Sequence, residues 1–164
     1  MRGKTDMMRI VDQETRKAWL EVQQLLSDYW QEIDFDQARR APEFYTEDCV
    51  LSPNAGREYR GRPGVRQFYD ERAKRGQRHT RHVVHNMRVN LETPSLARVN
   101  FILVLYATDG TGPAIDYEGP DVVMDADWLL QRDISGHWRF KELKGSPAFI
   151  GTEPYSRGQL LKSS

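Results

Sequence analysis

The sequence predicts an α+β domain, a curved, mostly antiparallel sheet wrapped around three N-terminal helices. Two observations carry that expectation. Helical periodicity is confined to the first half of the chain, and four long strand-like runs fill the second half. Helices gathered ahead of strands indicate segregated rather than alternating elements. A sheet that curves around helices leaves a cone with an interior pocket, and such a pocket is where a small molecule binds.

The elements come in order. Ala18, Val22, Leu25, Leu26, Tyr29 and Ile33 recur at spacings of three and four, so residues 12–33 read as one amphipathic helix without an internal Gly or Pro. Asp34-Phe35-Asp36-Gln37 places a Gln three residues after an Asp, a capping pattern that predicts a second, short helix running toward Tyr45. Pro42 falls inside it and shortens or kinks it. Residues 49–52 read as a short strand ended by Pro53-Asn54-Ala55-Gly56. Gly61-Arg62-Pro63-Gly64 leads into a third helix over residues 65–74, with Val65, Phe68, Tyr69 and Arg72 on neighbouring turns and Gly76 at its end. Residues 80–92, 97–108, 121–132 and 137–144 are strands, and the turns at 93–95 and 133–136 are short enough for antiparallel hairpins. The expected organisation is one domain over residues 1–164, with 1–11 and 147–164 as terminal extensions. The tail after Gly145 holds Phe149, Ile150, Tyr155, Leu160 and Leu161, which lie over the domain or over a neighbouring subunit.

Composition narrows the function. The 164 residues carry 24 Lys+Arg against 24 Asp+Glu, which argues against nucleic acid as a partner, because phosphate binding needs a basic excess. No apolar run reaches the roughly 18–20 residues of a membrane span, and no apolar region comes after the basic N-terminus, so a soluble, cytoplasmic protein without a membrane partner is expected. The single Cys49, in an apolar run, reads as a buried small hydrophobe. Trp128 and Trp138 read as packing anchors. The Arg-rich stretch 57–81 reads as a solvated helix face, with an anionic ligand as the alternative.

Phosphate loops, dinucleotide fingerprints, paired-Cys metal motifs and nucleophile elbows are absent. His79, His82 and His85 are spaced by three, and on a strand such residues alternate faces, so no metal site is expected from them.

Several spaced motifs together carry a family resemblance. Tyr29-x4-Asp34 ends the first helix, Gly61-x2-Gly64-Val65-x2-Phe68 opens the third, Thr80-Arg81-His82-Val83-Val84-His85-Asn86 begins the long strands, and Trp138-Arg139-Phe140 comes after the last turn. Over residues 12–146 the chain resembles the SnoaL-like branch of the NTF2-like superfamily, with its cone fold. The dehydratases and the dehydrochlorinase of that branch use an Asp after the first helix to orient a His on the first long strand. The resemblance implies that Asp34 and His82 form such a pair, with Tyr29 in the pocket. A carboxylate on one ring nitrogen fixes the tautomer and leaves the other as a base. Where the fungal dehydratase has a second pocket His, folding the strands about Pro94-Ser95 places Tyr106 or a neighbour opposite His82.

Two local patterns read differently. Asp34 in its Asp-x-x-Gln context also fits a cap of the second helix. Strict alternation places Val83, Met87, Val89 and Leu91 in the core and His82 on the other face with Val84, Asn86, Arg88 and Asn90. The paired reading therefore requires a pocket polar at its mouth, a bulge that changes register, or a second face buried between subunits.

The resulting expectation is a cofactor-independent small-molecule lyase or isomerase of dehydratase or cyclase type, acting on a cyclic or polyketide-like substrate. His82 is the acid/base, Asp34 its orienting partner, and Tyr29, Asn86 and Tyr106 line or polarise the pocket. The alternatives are a non-catalytic small subunit of an aromatic-ring-hydroxylating dioxygenase and a non-catalytic module for a small ligand. The resemblance also implies self-association, as a dimer or a trimer.

Overall fold

Helix α1, Gln13–Phe35, starts at Asp12, whose Oδ1 accepts the Thr15 N–H at 2.8 Å while its Oδ2 accepts the Thr15 hydroxyl at 2.8 Å. A cap of this kind is worth about 1 kcal/mol. The helix buries the stripe Ala18, Val22, Leu26, Tyr29 and Ile33 against the sheet. The computed structural model describes residues 11–54, 57–74, 76, 78–109 and 119–151.

The expected second helix does not form. α1 continues through Asp34 to Phe35, so Asp34 sits in its last turn and caps nothing. Gln37 and Ala38 then adopt left-handed backbone (φ 59° and 58°), and the Ala38 N–H returns to the Glu32 carbonyl at 3.0 Å, closing the helix end. The chain then makes a single 3₁₀ turn, Ala41–Phe44, carrying Pro42. Among the described residues the cone therefore holds two α-helices and one turn instead of three helices.

Strand β1 (Tyr45–Asn54) begins earlier than expected because Tyr45 is wholly buried. A short strand β2 (Arg57–Arg60) lies unforeseen in the Arg-rich stretch, since only Tyr59 of its four residues points inward. Helix α2 is Gly61–Ala73. A Cβ on Gly64 would lie 2.9 Å from the Tyr59 backbone, so glycine lets α2 approach β2 closely.

The long strands are β3 (Arg78–Thr93), β4 (Leu96–Asp109), β5 (Val122–Arg132) and β6 (Trp138–Ile150). They form one six-stranded sheet in the order β2-β1-β6-β5-β4-β3, with β1 parallel to β6 and every other neighbour antiparallel. β6 pairs with β5 as far as Ile150, so residues 147–150 belong to the sheet rather than to a terminal extension. The remainder of that tail, 152–164, lies outside the described residues, as do 1–10 and most of the Gly-rich connection before β5. The architecture is α+β, an open curved sheet closed over by α1 and α2.

β3 carries a bulge. Its register with β4 runs from Arg78↔Asp109 to His85↔Ile102 and resumes at Arg88↔Asn100, so three steps on β3 match two on β4. Asn86 is at φ 55°, the left-handed region that Asn tolerates. The extra residue reverses the alternation. Thr80 and Val89, of opposite parity, are both buried, and Val84, Met87 and Leu91 all pack on the core. Strict alternation is broken here, and His82 faces inward. Trp128 and Trp138 are buried, and the Trp138 indole donates to Glu21 Oε2 at 3.0 Å. Cys49 is also buried, which pushes its thiol up to about 11. Among the described residues no helix is long and apolar enough to cross a membrane.

Candidate active site

Asp34 and His82 are 48 positions apart in sequence and meet where the end of α1 crosses the start of β3. His82 Nδ1 lies 2.6 Å from Asp34 Oδ1. The His82 backbone N–H donates to Asp34 Oδ2 at 2.9 Å, and the Thr80 hydroxyl donates to Oδ1 at 2.7 Å. Thr80 in turn accepts from Arg72 Nη2 at 3.2 Å. A polar chain thus runs Arg72–Thr80–Asp34–His82, joining α2, β3 and α1. The His82 and Asp34 side chains are 8% and 5% exposed.

Burial pushes the Asp34 carboxyl up, but its hydrogen bonds to His82 and Thr80 outweigh that and hold it below its ordinary value. Burial pulls the His82 imidazole down; Asp34 opposes this, Arg72 adds to it, and the net shift is downward. At neutral pH the pair is a carboxylate and a neutral imidazole. With Asp34 ionised, Nδ1 carries the proton and Nε2 is the bare nitrogen. Trp30 covers one face of the ring, its centroid 4.0 Å away at 9° from parallel.

The cone encloses a cavity of about 170 Å³. His82, Trp30, Thr80 and Tyr29 line it, and Leu103, Leu105, Met124 and Trp128 make its walls largely apolar. Asp34 is not on that wall; it lies behind His82, in a groove between α1 and β3 beside Phe35 and Arg81. The carboxylate therefore backs the imidazole while the imidazole meets the cavity.

Next to the pair is a buried cluster of three phenols. The Tyr29 hydroxyl is 2.6 Å from that of Tyr45 and 2.5 Å from that of Tyr69. Burial is the main cause that raises all three, Tyr29 and Tyr45 well above the ordinary phenol range and Tyr69 to about 12, so they are hydrogen-bond donors and not bases at neutral pH.

The structure brings Tyr29, Asp34 and His82 together. It does not bring Asn86 or Tyr106 to the cavity. Asn86 is the bulged residue and is exposed. Leu105, not Tyr106, pairs with His82; Tyr106 pairs with Arg81 and is 39% exposed, because one step along β4 reverses the face. The other residues at the site carry weaker signals in the sequence. Thr80 shares the face of His82 two residues on, Trp30 lies one helical turn before Asp34, and Tyr69 and Arg72 share a face of α2. Tyr45 carries none, standing where a helix is expected.

An open, curved sheet closed by two helices over a cavity, with a histidine on its wall backed by an aspartate, defines a cone-shaped pocket protein of the NTF2-like superfamily. The chain belongs to the SnoaL-like domain family, whose model matches residues 14–144. Its fold is shared by ActVI-ORFA from Streptomyces coelicolor (11% identity, TM-score 0.69, covering 80% of this chain and 98% of that one). A scytalone dehydratase-like protein from Novosphingobium aromaticivorans is similar at 16% identity and TM-score 0.67, covering 85% and 90% of the two chains. The hexachlorocyclohexane dehydrochlorinase LinA-type3 from Novosphingobium barchaimii is similar at 17% identity and TM-score 0.64, covering 86% and 93%. At these identities the likeness is one of fold. No curated protein sequence matches the chain.

Proposed function

We propose that the protein is a cofactor-independent small-molecule lyase or isomerase, of dehydratase or cyclase type, in which His82 is the general acid/base and Asp34 its orienting partner. One observation carries this reading: the 2.6 Å contact of Asp34 with Nδ1 from behind, on an imidazole that lines an apolar cavity. Nε2 of His82 removes a proton from carbon next to a carbonyl, and the carbonyl oxygen gains the charge. The tyrosine cluster supplies the donor for that oxygen. When Tyr45 donates to Tyr29 and Tyr29 to Tyr69, the remaining hydroxyl proton is on Tyr69, which lines the cavity. The imidazolium then returns its proton, either to a departing hydroxyl, which leaves as water, or to a second carbon of the substrate. The first outcome is a lyase reaction and the second an isomerase reaction. Such positioned acid–base catalysis contributes typically ~10²–10⁴-fold in rate.

The fold likeness to dehydratase-type proteins supports the class of chemistry, and the apolar walls support a cyclic substrate. The test is deuterium incorporation into 2-tetralone, an enolisable bicyclic ketone, in D₂O. The protein is expected to accelerate it over buffer and His82→Gln to abolish the acceleration with the fold intact. Exchange in His82→Gln at the unmodified rate overturns the assignment, and no acceleration by the unmodified protein favours a ligand-binding module.

A further inference from the structure

The cavity wall opposite in character to its apolar lining is basic. Arg72, Arg78 and Lys144 all reach it, and Asp121 is the one carboxylate there among the described lining residues. Asp121 is wholly buried, and its Oδ2 accepts the Ala107 N–H. Lys144 is paired with Glu142 at 3.2 Å. Arg72 differs from Lys144. It makes no ion pair among the described residues: Nη2 donates to the Thr80 hydroxyl at 3.2 Å and the guanidinium sits 5.9 Å from the Tyr69 ring centre. Asp34 is linked to Arg72 through Thr80, and its oxygens already take hydrogen bonds from the Thr80 hydroxyl and the His82 backbone N–H and contact His82 Nδ1. Nε and Nη1 of Arg72 have no hydrogen-bond partner among the described residues. A guanidinium with a free edge at the cavity, beside two further cationic side chains, is disposed to take an anion there.

We propose that Arg72 recognises a carboxylate on the substrate, carried by an apolar ring system that fills the rest of the cavity. This rests on the cavity being the substrate site. The planar fork of Arg fits a carboxylate edge-on, and the chain Arg72–Thr80–Asp34–His82 fixes where that carboxylate lies relative to the reacting imidazole. The carboxylate anchors at the α2 end of the chain, the ring lies along Leu103, Leu105 and Met124, and the acidic carbon is presented to Nε2. Arg72 thereby orders the substrate without taking part in proton transfer.

The experiment compares binding of 2-naphthoate and 2-naphthamide, one shape with and without the charge, by calorimetry on the intact protein. Naphthoate is expected to bind roughly ten- to a hundredfold more tightly, the worth of a charge-assisted hydrogen bond. Arg72→Gln is expected to erase that preference while naphthamide binding stays as it was. Arg72→Lys keeps the charge without the fork, and its preference is expected to fall between the two; it decides the matter where the Gln variant does not fold. Equal binding of the two probes, no binding of naphthoate, or an undiminished preference in either variant overturns the proposal. His82→Gln is expected to keep the naphthoate preference while losing 2-tetralone exchange. The two readouts separate recognition by Arg72 from acid–base action by His82, so that one can fail without the other.

Discussion

Trp30 lies flat against His82, with ring centroids 4.0 Å apart and planes 9° from parallel. Asp34 fixes the imidazole from its edge and Trp30 from its face, so the ring has little freedom to turn Nε2 away from the cavity. Both residues come from the last turns of α1, four positions apart and on one side of the helix.

Removing that flat partner is expected to cost activity more than fold. Trp30→Ala should lower kcat by about 10²-fold through a misplaced imidazole, whereas Trp30→Phe, which keeps an aromatic face, should retain most of it. Comparing kcat with KM for the two variants checks this, since loss confined to KM would assign Trp30 to substrate packing alone.

Asp34→Asn keeps the shape and removes the charge. The amide no longer enforces the Nδ1–H tautomer, and a fall of ~10²–10⁴-fold in rate is expected. Substrate binding should change little, because Asp34 lies behind the cavity wall. Steady-state kinetics together with naphthamide binding check both halves of that expectation.

Acid affects stability and rate in the same direction. The folded Asp34 holds its proton less tightly than the unfolded one, so the stability it contributes is present above the ordinary carboxylate range and is lost as pH falls through the lowered folded value. His82 is also lowered, so the unfolded chain takes up its proton first and folding weakens as pH falls from the ordinary histidine range toward the folded value. Urea denaturation from pH 8 to pH 4 should show the histidine part of this loss, which His82→Gln should remove, and the Asp34 part should appear only on going below the ordinary carboxylate range. The acid limb of the rate should lie below the ordinary histidine range, and Arg72→Gln, which removes a nearby positive charge, should move it upward.

Tyr29 sits at the centre of the phenol cluster, bonded to both Tyr45 and Tyr69. Tyr29→Phe leaves two buried hydroxyls without their shared partner and should cost about 1–3 kcal/mol, measured by denaturant unfolding. Tyr45→Phe removes only a terminal hydroxyl and should cost less.

The bulge decides which way His82 points. Asn86→Gly should be tolerated, since glycine accepts φ near 55° at no steric cost. Deleting Asn86 restores strict alternation and forces either His82 or Val89 off the inner face, so it should abolish activity or stability together. Activity and thermal unfolding of the two variants check this.

That bulge also marks where the sequence is hard to read. The long helix and the four long strands are legible because their apolar residues repeat at helical or strand spacing over ten or more positions. Asp34 and His82 are legible only through the family resemblance, because alternation counted from Val89 backwards puts His82 outside until one extra residue is inserted. Asn86 is the only mark of that insertion, and an Asn on a strand does not by itself announce a left-handed backbone. The Asp34-x-x-Gln37 pattern misleads for a related reason: the carboxylate that would cap a helix is held instead by Thr80 and His82, across the sheet. β2 escapes notice because a polar four-residue edge strand has no periodicity to show. Arg72 reads as part of a solvated helix face, and its place on the cavity wall depends on how α2 packs against β1 and β2, which spacing along one helix does not encode.

The protonation state of His82 bears most directly on its assignment as a base oriented by Asp34. Nitrogen-15 NMR of the folded protein at pH 7 reports both ring nitrogens separately. A neutral ring with the proton on Nδ1 and a bare Nε2, changing to the other tautomer or to a mixture in Asp34→Asn, is the expected result. A proton on Nε2, or a fully charged imidazolium at that pH, would contradict it.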